Sequence, residues 1–440
     1  MQPSSLTVFR DRLRHAFRQF TWGGDWALAL PAQVKHNLQW FFFDGLFSSI
    51  TDNIAITYLV LYILSLGGTR TQIGLMSSLS SLLVALVLIP GALLVERFGH
   101  RQQITVFFGG GIARFVLLIL AFLPFFLGGE SLVLVAMALS ISRDVNANLA
   151  FPAWMSVTGE IVPIEGRGRY FGSRNLIMGI AGMLAILLAG VLITRAGSPR
   201  GYQIALGLAF ALGMISTYSF GRLHDPRGKT PIPVEGSLSL QALLQDIRGH
   251  PAFLALTLAM FLWNFSVNIA GPFFNVYMLQ NLKFTASMIG ITSITSTVAG
   301  LMVQRRTGRL SDRLGSRKVM LISMVLIPFA PAIWVFITQF WQVIALNCFS
   351  GLVWGIFNLV SFNYLLSLTP VAQRARYAAI FQILVTLALA GGAAFGAWVV
   401  TQWGYQAIFA CSAIGRVFAT FVFARLRPAS SEKEVALARE

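Results

Sequence analysis

Long apolar runs alternate with short polar segments along the whole chain. A transmembrane helix needs about 20 apolar residues, and the pattern contains enough runs of that length to predict twelve such helices. Numbered as spans one to twelve, they are predicted near residues 40–66, 71–95, 103–127, 131–158, 170–194, 201–221, 251–280, 285–304, 318–339, 341–368, 377–402 and 404–425. A polar stretch rich in Pro and Gly follows span six and divides the spans into two groups of six.

The two groups of six are similar to each other in sequence. The pair Glu96-Arg97 aligns with Asp312-Arg313 at an offset of 216 residues, and Pro163 aligns with Pro370 at an offset of 207. Charged residues and prolines in the same order are more specific than a match between apolar helices, so they indicate an internal repeat. The sequence therefore predicts an all-α integral membrane protein, with 12 transmembrane helices as two pseudo-twofold-related six-helix bundles.

The same pattern predicts five regions along the chain. Basic residues alternate with apolar ones at helical spacing before span one, which indicates an amphipathic helix on a membrane surface. The predicted regions are a cytoplasmic amphipathic N-terminal segment (1–37), an N-terminal six-helix bundle (38–222), a cytoplasmic linker (223–250), a C-terminal six-helix bundle (251–426) and a cytoplasmic tail (427–440).

Charge is scarce and unevenly distributed. Only 11% of residues are charged, against about 25% in soluble domains, which excludes an ordinary soluble enzyme. Of the 33 Lys and Arg residues, 26 fall on the side of the predicted topology that also holds both termini. The positive-inside rule makes this side cytoplasmic, in a cell (plasma or inner) membrane. The net charge of +17 is then a topology signal, and we expect no nucleic-acid partner.

Two loops carry related short motifs, one after span two and one after span eight. Their candidate residues are Gly91, Glu96, Arg97, Gly99 and Arg101 in the first loop, and Gly308, Asp312, Arg313, Gly315 and Arg317 in the second. Both loops resemble the G-x-x-x-D-R-x-G-x-R/K signature of the major facilitator superfamily. The second loop fits the signature, whereas the first has its leading Gly one position early and Glu in place of Asp.

This resemblance covers roughly residues 38–426 and implies more than a fold. It implies secondary transport by alternating access, no enzymatic activity, and a gating role for the two loop motifs, which in the family latch and release the two halves. The alternative for the motifs is that their charges only set the topology. We expect no cofactor, no metal site and a monomer.

Six ionisable residues lie inside the predicted spans: Asp44, Asp52, Arg114, Arg143, Asp144 and Arg416. Each costs about 2.5 to 3.5 kcal/mol on insertion scales, so such residues usually face a cavity and carry function. We expect Asp44 and Arg416 to reach the membrane surface, because both lie near the end of a span. Asp52, Arg143 and Asp144 lie near mid-span and are the functional candidates.

The repeat places Asp52 of span one at the same depth as Asn268 of span seven, where Gly271-Pro272 can break the helix. We expect one central cavity between spans one, four, seven and ten. The alternative for each asparagine is a hydrogen bond that only joins two helices. The candidate residues for substrate or proton binding are Asp52, Arg143, Asp144, Asn148, Trp154, Asn264, Asn268, Trp354, Asn358 and Tyr364.

Adjacent residues on a helix point about 100° apart, so we expect only one of Arg143 and Asp144 to face the cavity. Our hypothesis gives that place to Arg143, as a group that recognises the solute, with Asp144 pairing with a neighbouring helix. Asp52 is then the acid that carries the proton. The Arg favours an anionic group on the solute, and the Asp favours a cationic one.

The sequence thus predicts a multi-pass secondary active transporter that moves a small organic solute, coupled to a proton or another ion. Within the same fold, efflux of amphiphilic drugs is the close competitor. A different class is a membrane sensor or lipid-handling protein that does not transport; it would need no acid at mid-span, and Asp52 counts against it.

Overall fold

The computed structural model describes residues 21–163, 166–226, 228, 251–368 and 374–425. Within these ranges the chain is helical and contains no β-strand. The prediction of an all-α membrane protein is therefore confirmed. Many large apolar side chains point outward from the spans, among them Leu188, Met302 and Ile414, each more than two-thirds exposed. Such exposure suits contact with lipid, since hydrocarbon chains solvate apolar side chains well.

The first six spans match the predicted order. Span three is irregular, because a π-helical segment, Thr105–Ile112, interrupts its α-helix and contains three consecutive glycines. π-helical segments are rare in proteins, and those that occur often lie at functional sites. The bounds are Ala32–Ser65 for span one, Arg70–Phe98 for span two, Arg101–Phe125 for span three, Gly129–Ile161 for span four, Arg167–Ala196 for span five and Arg200–Gly221 for span six.

Among the second six spans, two are interrupted and two are continuous with each other. Span seven breaks at Gly271-Pro272, as the sequence predicts, and spans eleven and twelve form one helix that bends at Gly404 (φ 80°). The bounds are Pro251–Ala270 and Phe273–Gln280 for span seven, Ala286–Leu314 for span eight, Ser316–Leu326 and Phe329–Trp334 for span nine, Phe340–Ser367 for span ten and Arg374–Arg425 for spans eleven and twelve together. When spans eleven and twelve are counted as one helix, 11 described helices are long and apolar enough to cross a membrane. The last of them is long enough to cross twice.

Packing divides the chain into two compact units. Unit 1 contains Met1–Leu66 and Leu86–Val234, and unit 2 contains Gly67–Ala85 and Glu235–Glu440. The first half of span two packs within unit 2. There Ser78 donates a hydrogen bond to the carbonyl of Ala390 (2.8 Å), and Gly74 lies so close to Ala397 that an added methyl group would overlap it.

Buried tyrosines fix span one inside unit 1. The hydroxyls of Tyr58 and Tyr62 donate hydrogen bonds of 2.7 Å to the carbonyls of Ile186 in span five and Leu120 in span three. A buried hydroxyl without a partner is costly, so these bonds specify how span one is rotated and therefore where its polar face points.

Small residues let the spans of unit 2 approach closely. A methyl group at Gly392 or Gly396 of span eleven would overlap the carbonyls of Phe265 or Ile269 in span seven. This contact is the one expected for a small-xxx-small pair in a membrane.

Candidate functional site

Unit 1 contains a cavity of about 550 Å³ that is lined by spans one, three, four, five and six. Span one contributes Asp44, Ser48 and Asp52 to its wall. These residues are four positions apart and therefore share one face of the helix. Arg114 of span three, Arg143 of span four and Arg174 of span five complete the charged lining.

Asp52 binds two arginines at once. Arg114 donates from Nη1 to Oδ1 of Asp52 at 2.8 Å, and Arg143 donates from Nη2 to the same oxygen at 3.3 Å. Ser48 donates to the other carboxylate oxygen at 2.9 Å and accepts a bond from Arg114. The side chain of Asp52 is 40% exposed, against 10% for Arg114 and 12% for Arg143. The carboxylate is therefore the accessible part of a cluster whose cations are buried.

Arg143 and Asp144, which are adjacent on span four, also contact each other. Arg143 donates from Nη1 to Oδ1 of Asp144 at 2.9 Å while its Nη2 contacts Asp52. The 100° separation holds for Cβ directions, but the long arginine side chain folds back far enough to bridge both carboxylates. Arg143 lines the cavity and pairs with Asp144 on its own helix, and the pairing of Asp144 with a neighbouring helix stays a prediction.

A second pair lies two helical turns away on span one. Asp44 accepts a hydrogen bond from Ser216 (2.8 Å), and its Oδ2 lies 3.8 Å from Nη2 of Arg174. Arg174 also donates to the carbonyl of Phe41 and stacks over its ring, 4.0 Å from the centroid. The expectation that Asp44 reaches the membrane surface was wrong, because it is buried against this arginine. Arg174 lies within the predicted bounds of span five but was not counted among the six ionisable residues inside the spans; it is buried inside the bundle.

Aromatic and apolar side chains form the rest of the wall. Phe151 and Trp154 of span four stack on each other with ring centroids 6.0 Å apart, and Phe171 and Met178 of span five face the same cavity. The π-helical segment of span three contributes Val106. A cavity with a charged cluster on one side and aromatic rings on another can bind an amphiphilic organic molecule.

The remaining candidate asparagines mostly bond to backbone carbonyls. Asn148 and Asn264 each donate to the carbonyl four residues earlier on their own helix, to Asp144 and Met260. Asn268 of span seven donates to the carbonyl of Leu389 in span eleven at 2.7 Å. Asn268 therefore joins two helices of unit 2, as the alternative for the asparagines predicted.

The other candidates of unit 2 lie at separate places. Trp354 lines two cavities of about 350 and 520 Å³, and Asn358 lines the larger one. Tyr364 is buried, with its ring centroid 6.0 Å from that of Phe423. Only some of the candidates therefore line a described cavity, namely Asp52, Arg143 and Trp154 in unit 1 and Trp354 and Asn358 in unit 2. The single central cavity stays a prediction.

The first loop motif is built into unit 1. Gly91 makes the close approach expected of the leading glycine, since a methyl group there would meet the carbonyl of Leu149 in span four. Gly99 has a φ of 64°, which a glycine adopts without strain. Arg101 is fully buried and forms ion pairs with Asp225 and Glu160. Arg97 is exposed, with its guanidinium over the ring of Phe98.

The second motif repeats part of this geometry in unit 2. Gly315 has a φ of 84°, and Arg317 donates to the carbonyl of Ala424 at the end of span twelve (3.3 Å). Gly308 lies within span eight and Arg313 is exposed. The predicted roles of Glu96 and Asp312 depend on side chains that lie outside the described part of the structure.

The model of the family described as Major Facilitator Superfamily matches residues 41–305 and 256–440. The chain belongs to this superfamily. It is 23% identical over 405 residues to the multi-drug resistance efflux pump PmrA of Streptococcus pneumoniae, covering 85% of this chain and 92% of the relative. It is 21% identical over 255 residues to the multidrug resistance protein MdtG of Proteus mirabilis, covering 56% of this chain and 61% of that protein.

Solved structures share the fold. A crystal structure of a mutant of the nucleoside transporter NupG has a TM-score of 0.71 and 15% identity, over 88% of this chain and 99% of that chain. A structure of a POT family transporter in complex with 5-aminolevulinic acid has a TM-score of 0.66 and 15% identity, over 88% and 94% of the two chains. The expectations of a multi-pass membrane transporter for a small molecule, and of a protein that is not an enzyme, are confirmed.

Proposed function

We propose that this transporter couples the movement of a small amphiphilic organic solute to protons, and that Asp52 is the group that carries the proton. The observation that carries the proposal is the contact between the accessible Asp52 carboxylate and the buried guanidinium groups of Arg114 and Arg143. A carboxylate that can be reached from a cavity is able to exchange its proton. Because Asp52 also contacts two guanidinium groups, a change in its charge alters the electrostatic environment of both.

The charges around Asp52 determine what protonation does. The cavity is faced by Asp44 and Asp52 on span one, Arg114 on span three, Arg143 on span four and Arg174 on span five. With the Arg143 partner Asp144 included, three carboxylates and three guanidinium groups balance. A proton on Asp52 leaves one positive charge in excess and weakens its hold on two arginines. The cavity then favours an anionic group on the solute, so the solute and the proton bind together.

The walls of the cavity favour a solute with an aromatic part. The stacked rings of Phe151 and Trp154 lie in the same cavity as the arginines. Aromatic rings add stacking energy of about 0.5 to 1.5 kcal/mol beyond the burial of their area. An aromatic carboxylate combines both requirements and is the solute class we infer.

The test uses the full-length protein in proteoliposomes that contain a pH-sensitive dye. Aromatic carboxylates are expected to move protons in the same direction as the solute in the wild type. Asp52→Asn should abolish pH-driven uptake while sparing solute counterflow, because the asparagine cannot change its charge. Glu130→Gln, at an exposed position at the start of span four, is the matched control and should behave as the wild type. Unchanged pH-driven uptake in Asp52→Asn would rule out the proton role of Asp52.

Export of amphiphilic drugs is the second candidate, and the relatives support it. PmrA is named as a multi-drug resistance efflux pump and aligns over most of its length with this chain. In this case a cationic solute competes with the arginines for Asp52, and a proton displaces it. The same vesicles distinguish the two candidates, since cationic solutes would then move against the protons.

The loop motifs supply the gate in this proposal. Gly91, Glu96, Arg97, Gly99 and Arg101, with Gly308, Asp312, Arg313, Gly315 and Arg317, bias the equilibrium between outward-open and inward-open states. The buried ion pairs of Arg101 support this role, because their rearrangement would be costly. The test introduces single cysteines into the cavity and measures their labelling. Arg101→Lys should change that labelling if Arg101 biases the equilibrium between the two states.

The remaining features of the proposal concern placement in the cell. The protein is proposed to act as a monomer in the plasma membrane. Both termini lie in the cytoplasm, as the Lys and Arg distribution favours. Single cysteines at Ser131 and Lys318, in a background without Cys348 and Cys411, test the orientation. An impermeant thiol reagent should label intact cells at position 131 and not at position 318.

A further inference from the structure

Arg416 of span twelve is buried in unit 2 rather than extended toward the membrane surface, which corrects the expectation from the sequence. Its side chain and backbone together are 3% exposed. Nη2 makes a long hydrogen bond of 3.4 Å to the carbonyl of Val267, and the buried Nε has no hydrogen-bond partner among the described residues.

No carboxylate of the described residues lies within 4.0 Å of this guanidinium. In the described ranges of unit 2 the single acidic residue is Asp312, which belongs to the loop motif at the end of span eight. A buried cation without a compensating anion is expensive, and in native proteins it is normally paired. The other buried arginines of the described structure, Arg101, Arg114 and Arg174, each have a carboxylate partner.

The guanidinium faces a cavity of about 350 Å³ that lies wholly within unit 2. Polar side chains surround it: Asn275 from span seven, Ser296 from span eight and Ser350 from span ten. These three make no side-chain hydrogen bond to any described residue, so their donors are available to a ligand. Trp334 and Trp354 contribute aromatic surface to the wall.

We propose that this cavity is an anion site, in which Arg416 binds the negative charge of a monovalent anion and Asn275, Ser296 and Ser350 donate hydrogen bonds to it. The bound anion then supplies the negative charge that no described side chain provides near Arg416. The cavity is much larger than a single halide, and two tryptophans line it, so a small organic carboxylate fits it better than chloride. This site is separate from the solute path proposed in unit 1 and does not depend on it.

Binding is tested without a transport assay. The full-length protein is purified in a buffer with a large, weakly bound anion, and its thermal unfolding is followed while chloride, bromide, acetate or benzoate is added at constant ionic strength. A ligand that binds only the folded state raises the melting temperature with a saturable dependence on concentration. We expect such a rise for benzoate at lower concentrations than for acetate. A rise for the halides alone would assign the site to an inorganic anion of the same charge.

Variants connect the response to the cavity. Arg416→Gln should abolish the rise, whereas Lys283→Gln, which removes a positive charge from an exposed position of unit 2 outside the cavity, should retain it. Asn275→Leu and Ser350→Ala keep the arginine and serve if Arg416→Gln does not fold. Each is expected to weaken the apparent affinity about tenfold, the loss typical of one hydrogen bond to a charged group. The proposal is overturned if none of the four anions stabilises the wild type, or if the cavity variants respond as the wild type does.

Discussion

Arg114 of span three donates a hydrogen bond of 2.8 Å to the Asp52 carboxylate of span one, so two residues that are 62 positions apart form the centre of the charged cluster in unit 1. Arg114 is buried and Asp52 faces the cavity. A ligand or proton that binds Asp52 therefore weakens the ion pair of Arg114, whose guanidinium has little access to water.

This ion pair should be visible as an energetic coupling. We expect Arg114→Gln to lower the free energy of unfolding by about 1 to 2 kcal/mol, at the low end for a charged hydrogen bond because Asp52 is partly hydrated. Asp52→Asn alone should cost at least as much, because it leaves the buried guanidinium of Arg114 without a carboxylate partner. The double variant should cost less than the sum of the two by at least about 0.5 kcal/mol, since the second substitution removes an interaction that is already lost. Unfolding of the purified protein measures all three, and strict additivity would contradict the pairing.

The sequence predicted the spans and most of the charged residues that lie within them, because both signals are local. Twelve apolar runs and the break at Gly271-Pro272 follow directly from composition and spacing. Partners were harder to predict, since they depend on how helices rotate against one another. Arg174, near the start of span five, was not counted as an in-span charge, yet the rotation of its helix buries it against Asp44. Asp44 and Asp52 are eight residues apart and therefore share one face of span one. This spacing could have predicted that both line the same cavity.

Arg101 should tolerate substitution far less than its neighbour in the same motif. Its fully buried guanidinium contacts Asp225, Glu160 and the hydroxyl of Ser156. A lysine cannot reach three partners with one ammonium group. We expect Arg101→Lys to cost about 3 kcal/mol, as for a broken buried ion pair. Arg97→Lys, at an exposed position, should change stability by less than about 0.5 kcal/mol. Thermal unfolding in detergent compares the two, and equal effects would show that the burial of Arg101 is not important.

Substitution by alanine should affect stability differently at two helical glycines, Gly396 of unit 2 and Gly179 of unit 1. Gly396 packs against the carbonyl of Ile269, so Gly396→Ala forces spans seven and eleven apart and should lower the melting temperature by several degrees. Gly179 of span five has open space where a methyl group would be added. Gly179→Ala should leave stability unchanged or raise it by about 0.5 to 1 kcal/mol, because alanine is the better helix former. A stable Gly396→Ala protein would show that this close approach is not needed.

Trp154 tests the solute class that the cavity walls favour. Its ring stacks on Phe151 at the cavity surface and approaches Phe41 at 6.3 Å. Trp154→Leu retains apolar volume but removes the aromatic face, so transport of an aromatic carboxylate should show a KM raised about three- to tenfold. An aliphatic carboxylate of similar size should show little change, because it gains nothing from stacking. Trp341→Leu, at an exposed ring outside the cavity, is the control. Equal KM changes for both solutes would indicate that Trp154 supports the shape of the cavity and does not contact the solute, and the inference of an aromatic substrate would then be wrong.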